Sequence, residues 1–80
     1  MNNEDAILQR ILNLAASTFD RDVNTLRADD DFFEALSIDS MQAMDMLTDL
    51  ETEFGVEVPD YELADVRTFR ELVVVVQRRL

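Results

Sequence analysis

The sequence contains no cysteine, which rules out a disulfide framework, a thiolate nucleophile and a cysteine-ligated zinc site. It contains no histidine, so the imidazole base of Ser-His and Cys-His chemistry is missing as well. Lysine is absent, and all 7 basic residues are arginine, against 18 acidic residues and a net charge of −11. A field of that sign repels phosphate backbones and anionic lipid and attracts basic protein surfaces, which excludes nucleic-acid binding. The longest apolar run, Leu72 to Val76, falls far short of the roughly 20 residues that membrane insertion requires. Met1-Asn2-Asn3-Glu4-Asp5 offers neither a basic n-region nor an apolar h-region, so no signal peptide is expected. These absences point to a cytoplasmic, soluble chain without autonomous catalysis.

What is present is a core-forming composition on a small scale. At 80 residues and 48% hydrophobic, the chain is expected to form one domain over residues 1–80 and to remain a monomer. A domain this size buries roughly 60–65% of its unfolded surface, leaving little room for a deep, water-free active site. With only Gly55 and Pro59 as breakers, the chain reads as all-helical. Asn3 is placed to cap a first helix over residues 4–18, with Ile7, Ile11, Leu14, Ala15 and Thr18 on one stripe and Leu8 and Leu12 beside it. Residues 19–38 lack sustained periodicity and read as a long loop, with one turn around Val23–Arg27 and Leu26, Phe32, Phe33 and Leu36 as apolar pins.

Asp39 opens a second helix, with Gln42 in capping-box position. Ala43, Leu47, Leu50 and Phe54 share its inner face, with Met46 at the edge and Gln42, Asp45, Asp49 and Thr52 opposite. Gly55 ends it as a C′ residue, and Pro59 follows. Asp60 to Val66 has room only for a short third helix. Thr68 and Glu71 form a second capping box, opening a last helix with Phe69, Leu72, Val73, Val76 and Leu80 inward. The run Val73–Val76 has strand propensity, but no partner strand exists for it.

Three segments are candidates for function. Asp20, Asp22 and Asn24, with Asp31 at the twelfth position, have the spacing that opens a calcium loop. Thr25 where the turn needs Gly, Asp where a bidentate Glu belongs, and Arg27 beside the ion argue instead for a solvated acidic loop, with no metal. The acids of residues 29–31 and of the second helix (Asp45, Asp49, Glu51, Glu53, Glu57) form a dense negative surface. Met41 lies about 160° from the core face. An outward Met among acids serves as an adaptable contact for a basic partner rather than as mere solubilising surface. The third candidate is Ser40. On its own, Asp-Ser is helix-start chemistry, and without His or Cys the hydroxyl cannot activate itself. A hydroxyl in a first helical turn is, however, a favourable place for a phosphate diester, facing the dipole and unpaired N–H groups.

Leu36-Ser37-Ile38-Asp39-Ser40-Met41 resembles the L-G-x-D-S-L signature of acyl carrier proteins. Phe54-Gly55-Val56-Glu57-Val58-Pro59-Asp60 resembles the close of that family's second helix, Phe32 with Glu34-Ala35-Leu36 its lead-in, and Val66-Arg67-Thr68-Phe69 the start of its last helix. The likeness runs through the whole chain, in register. It implies a small four-helix bundle with a long first loop and a short third helix. It also implies 4′-phosphopantetheine, taken from coenzyme A, on Ser40 after Asp39, holding acyl groups as thioesters for fatty-acid, polyketide or related enzymes. By position, Asp39, Met41, Asp45, Asp49 and Glu51 inherit docking to basic patches on a phosphopantetheinyl transferase and on acyl-loading and acyl-using enzymes. The inward set Met44, Met46, Leu47, Leu63, Phe69 and Leu72 is the expected acyl pocket. Ser37 stands where the family usually has Gly, and Met41 where it has Leu; Asp-Ser-Met also occurs in D-alanyl and other specialised carriers. The alternative from another class is an acidic helical interaction module without a prosthetic group.

Overall fold

A computed structural model describes residues 3–80, with Asn3 as backbone only. Its helices are α1 (Asn3–Thr18), α2 (Phe32–Leu36), α3 (Ser40–Phe54) and α4 (Phe69–Arg79), with 3-10 turns at Val23–Thr25 and Asp60–Leu63. Among the described residues there is no strand; one isolated bridge pairs Asp31 with Thr68. The capping expected of the Asn3 side chain lies outside what is described.

Both capping boxes form as read. Asp39 accepts from the Gln42 N–H while the Gln42 side chain accepts from the Asp39 N–H, and Thr68 and Glu71 exchange the same pair of bonds. Each box satisfies two donors that a helix start leaves without partners, which fixes where α3 and α4 begin. Gly55 ends α3 in the left-handed region at φ +66°. The valine run is helical. Val73, Val75 and Val76 are buried, and packing of α4 against α1 overrides the strand propensity of its valines.

Three local expectations are corrected. Residues 32–36, read as loop, form α2. Asp31 caps it by accepting from Phe33 N–H and Glu34 N–H, and five residues are too few to display a period. The short third helix forms within its expected span, as a 3-10 helix of 4 residues at Asp60–Leu63. On α1 the buried face runs through Ile7, Ile11, Leu12, Ala15 and Ala16, whereas Leu14 is half-buried and Thr18 exposed. The small Ala15 and Ala16 turn inward where α1 meets its neighbours. On α4, Val75 is buried and Leu80 is 65% exposed, because the helix ends at Arg79 and Leu80 lies past the core.

The core joins these helices with no buried polar side chain among the described residues. Phe69 is fully buried, its ring 6.0 Å from Phe32, which stacks on Phe33 at 4.7 Å. Leu26, Phe32 and Leu36 are buried and pin the segment before α3; Phe33 is half-buried. Arg21 strengthens that pinning, donating to the carbonyls of Phe19 at 2.8 Å and Leu36 at 2.9 Å. The loop before α2 is also tied to the start of α4. Phe32 N–H donates to Arg67 C=O, and Arg70 N–H to Ala28 C=O, each at 2.8 Å. The approach to α3 is thereby held from three sides.

Candidate functional site

Ser40 is the first residue of α3, directly after the Asp39 cap, and it is exposed. Asp39 Oδ1 is taken by the Gln42 N–H at 2.9 Å and Asp39 C=O by the Ala43 N–H, also at 2.9 Å. The hydroxyl of Ser40 and the N–H groups of Ser40 and Met41 have no hydrogen-bond acceptor among the described residues. A free hydroxyl therefore stands beside two free donors at the positive end of a 15-residue helix.

Ser40 also lines a cavity of about 330 Å³ between α2, α3, the 3-10 turn at 60–63 and α4. That volume is at the lower end of the roughly 300–1,000 Å³ of small-molecule sites. Met46, Leu47 and Leu72 form its floor, each buried, and half-buried Leu63 and Phe33 line its sides. Two of the residues expected to line a pocket from within sit differently. Met44 lines the cavity but is 39% exposed, which puts it at the rim. Phe69 is not among the lining residues, because its ring is spent on packing against Phe32.

Of the side chains lining the cavity, Arg67 is the one cation and Asp60 the one carboxylate. Arg67 Nε donates to Asp31 Oδ2 at 2.9 Å, and its guanidinium lies 5.2 Å over the Phe33 ring. Burial pushes the Asp31 carboxyl up, but the Arg67 hydrogen bond and those from Glu34 and Phe33 N–H outweigh it, leaving it below its ordinary value. At the start of α4, N–H donors of Arg67 and Thr68 hold the Glu71 carboxyl below its usual range. Nearby, the hydrogen bond and charge of Arg70 do the same to Asp29, at 2.7 Å. In the sequence Arg67 stands out only as part of the Val66-Arg67-Thr68-Phe69 motif. Its partner lies 36 residues away, so no local pattern signals the pairing.

On the outer face of α3, Met41 is 79% exposed, as its angle on the helix requires. Asp45 and Asp49 are exposed too, and Asp49 makes only a long 3.4 Å contact with the Thr18 hydroxyl. Glu51 differs. It is half-buried and its Oε2 accepts from the Val58 N–H at 2.9 Å, so it braces the segment after Gly55 rather than standing free as a docking charge. Two acids of the calcium-like loop are likewise committed locally. Asp22 caps the 3-10 turn at 23–25 by accepting from Asn24 N–H, and Asp31 caps α2.

The profile of the family described as "Phosphopantetheine attachment site" matches residues 9–75, most of the chain. The chain belongs to that family. It is also 25% identical over 79 residues to proteins named "Acyl carrier protein" from Rickettsia canadensis (strain McKiel) and Rickettsia massiliae (strain Mtu5), covering 99% of this chain and 92% of each relative. The same figures hold for the protein of that name from Rickettsia typhi (strain ATCC VR-144 / Wilmington). The prosthetic group of the phosphopantetheine family is 4′-phosphopantetheine, covalently attached through its phosphate. The donors present suit it: an exposed hydroxyl to esterify, free N–H groups for phosphate oxygens, and a cavity beside them. Among the described residues no helix is long and apolar enough to cross a membrane.

Proposed function

We propose that this chain is a non-catalytic carrier that bears 4′-phosphopantetheine on Ser40 and presents acyl thioesters to separate enzymes of fatty-acid, polyketide or related biosynthesis. The observation that supports this best is the exposed, unpartnered Ser40 hydroxyl in the first turn of the capped helix α3. With neither His nor Cys in the chain, the base that deprotonates Ser40 is supplied by the transferase. Asp39 holds the helix start in place through Oδ1.

The test is intact mass after incubating the apo-protein with coenzyme A and a broad-specificity phosphopantetheinyl transferase. One phosphopantetheine is gained by the wild type and none by Ser40→Ala, which folds normally. A gain in the Ser40→Ala protein would overturn the assignment, and no gain in the wild type would leave an acidic interaction module without a prosthetic group.

In the same reading, an acyl chain enters the cavity between α3, the 60–63 turn and α4. Met44 and Met46 are deformable walls that let it widen. Methyl resonances of Met46, Leu47, Leu63 and Leu72 then move progressively as the loaded chain lengthens. Response confined to the neighbourhood of Ser40 would mean that the chain stays in solvent.

A further inference from the structure

We propose that Arg67 anchors the phosphodiester that joins the prosthetic arm to Ser40, a role that rests on Ser40 being the attachment point. Attachment places a new negative charge on a chain already at −11, next to Asp39 and on a cavity that Asp60 also lines. Arg67 is the one positive group among the lining side chains, and the other arginines do not line this cavity.

Arg67 is mounted for the task. Its backbone is fixed at both polar atoms, the N–H donating to Glu71 Oε1 at 2.9 Å and the C=O accepting from Phe32 N–H at 2.8 Å. The side chain is held at one edge by Asp31 through Nε and on one face by the Phe33 ring. Its two Nη nitrogens have no hydrogen-bond acceptor among the described residues, and the side chain remains 64% exposed. A planar fork with its terminal donors free matches a phosphodiester's two unesterified oxygens bidentately, which a point-charge ammonium cannot do. Because Asp31 and Phe33 already restrict the side chain, less rotamer freedom is lost when the phosphate binds. The phosphate is bonded to Ser40 Oγ, so of all parts of the arm it stays nearest the edge of the cavity that Ser40 lines. Anchoring it aims the first segment of the arm towards α4 and the cavity rather than out along the acidic face of α3.

The experiment follows ¹⁵N-arginine side-chain resonances and the ³¹P resonance in apo- and holo-protein, with loading verified by intact mass. Arg67 side-chain N–H signals shift from apo to holo, before any acyl group is added. The holo ³¹P signal is displaced from its position in the urea-unfolded holo-protein. In Arg67→Gln that displacement collapses although loading is complete, and Arg67→Lys restores only part of it. Complete loading with the full wild-type ³¹P displacement retained in Arg67→Gln overturns the anchor. So does an Arg67 shift that appears only on acylation, which would assign the guanidinium to the cargo. Absence of any mass gain instead removes the Ser40 reading, and the anchor with it. Should Arg67→Gln fail to fold, the apo-to-holo shift of the unmutated protein decides the matter.

Discussion

Ser37 carries a conformational cost that its neighbours in the structure make plain. It closes α2 in the left-handed region at φ +55°, where its N–H reaches back to the carbonyls of Glu34 and Phe33. For a residue with a Cβ that region costs about 1–2 kcal/mol, which is why glycine usually stands there. Glycine loses about 0.5–1 kcal/mol more conformational entropy on folding, so the two effects partly cancel. Ser37→Gly should therefore stabilise the fold by about 0.5–1 kcal/mol and raise the Tm by roughly 3–6 °C. Gly55→Ala provides the mirror case. Its φ is +66° and a Cβ there meets nothing within 4 Å, so the loss of about 1 kcal/mol is conformational alone. Thermal melts of both variants check the pair; an unchanged or lower Tm for Ser37→Gly would mean that the serine hydroxyl offsets the strain. The resemblance exposed Ser37 as a departure, but only its φ says what the departure costs.

At the scale of elements, α2 and α4 start together, joined through Asp31. One of its oxygens caps α2 and the other accepts from Arg67 at the entrance to α4. Asp31→Asn keeps a capping acceptor and removes the charge, so it isolates the ion pair from the cap. Because the folded carboxyl sits below its ordinary value, the pair's contribution is fully present above the unfolded value of about 3.9 and is lost as pH falls through the folded one. Urea midpoints should show wild type more stable than Asp31→Asn at pH 7 and pH 5, with the gap closing below about pH 4. A gap that fails to narrow as the pH falls below about 4 would contradict the ion pair as its source. Helix starts with a capping box were legible because their signal spans three residues. α2 was not, because its reason for existing is the docking of Phe32 and Asp31 onto α4.

At the scale of the molecule, the ion pairs and the free acids divide the surface. Arg10 pairs with Glu53 at 2.9 Å, Arg70 with Asp29 and Arg79 with Glu62, each 2.7 Å, stitching distant segments together. The outer face of α3 holds Asp45 and Asp49 one turn apart with no cation pairing them among the described residues. Like charges at that spacing repel, so Asp45→Asn and Asp49→Asn should leave the Tm unchanged or higher. Against a basic partner the same charges steer encounter. Both variants should therefore slow the transferase reaction at low ionic strength, with the deficit shrinking as salt rises. Met41→Ala should weaken it at every salt concentration, because its contribution is apolar contact. Asparagine variants that react as fast as wild type at low salt would reduce the acidic face to a solvated surface.

The sequence by itself determined the helix boundaries set by Asp39-Gln42, Thr68-Glu71 and Gly55, the outward angle of Met41 and the place of Ser40 in a first helical turn. Each depends on bonds or angles spanning at most four residues, so the information is local. Tertiary structure alone decided that Ala16 turns in and Thr18 out, that Val75 is buried and Leu80 is not, and that α2 forms at all. It also withdrew Glu51 to the Val58 N–H, moved Met44 to the cavity rim and spent Phe69 on Phe32. Above all it put Arg67 on the cavity that Ser40 also lines. That juxtaposition arises because helices pack to exclude water from about a dozen and a half apolar side chains, and the burial that selects the packing is blind to which charged residue it leaves at the cavity's edge.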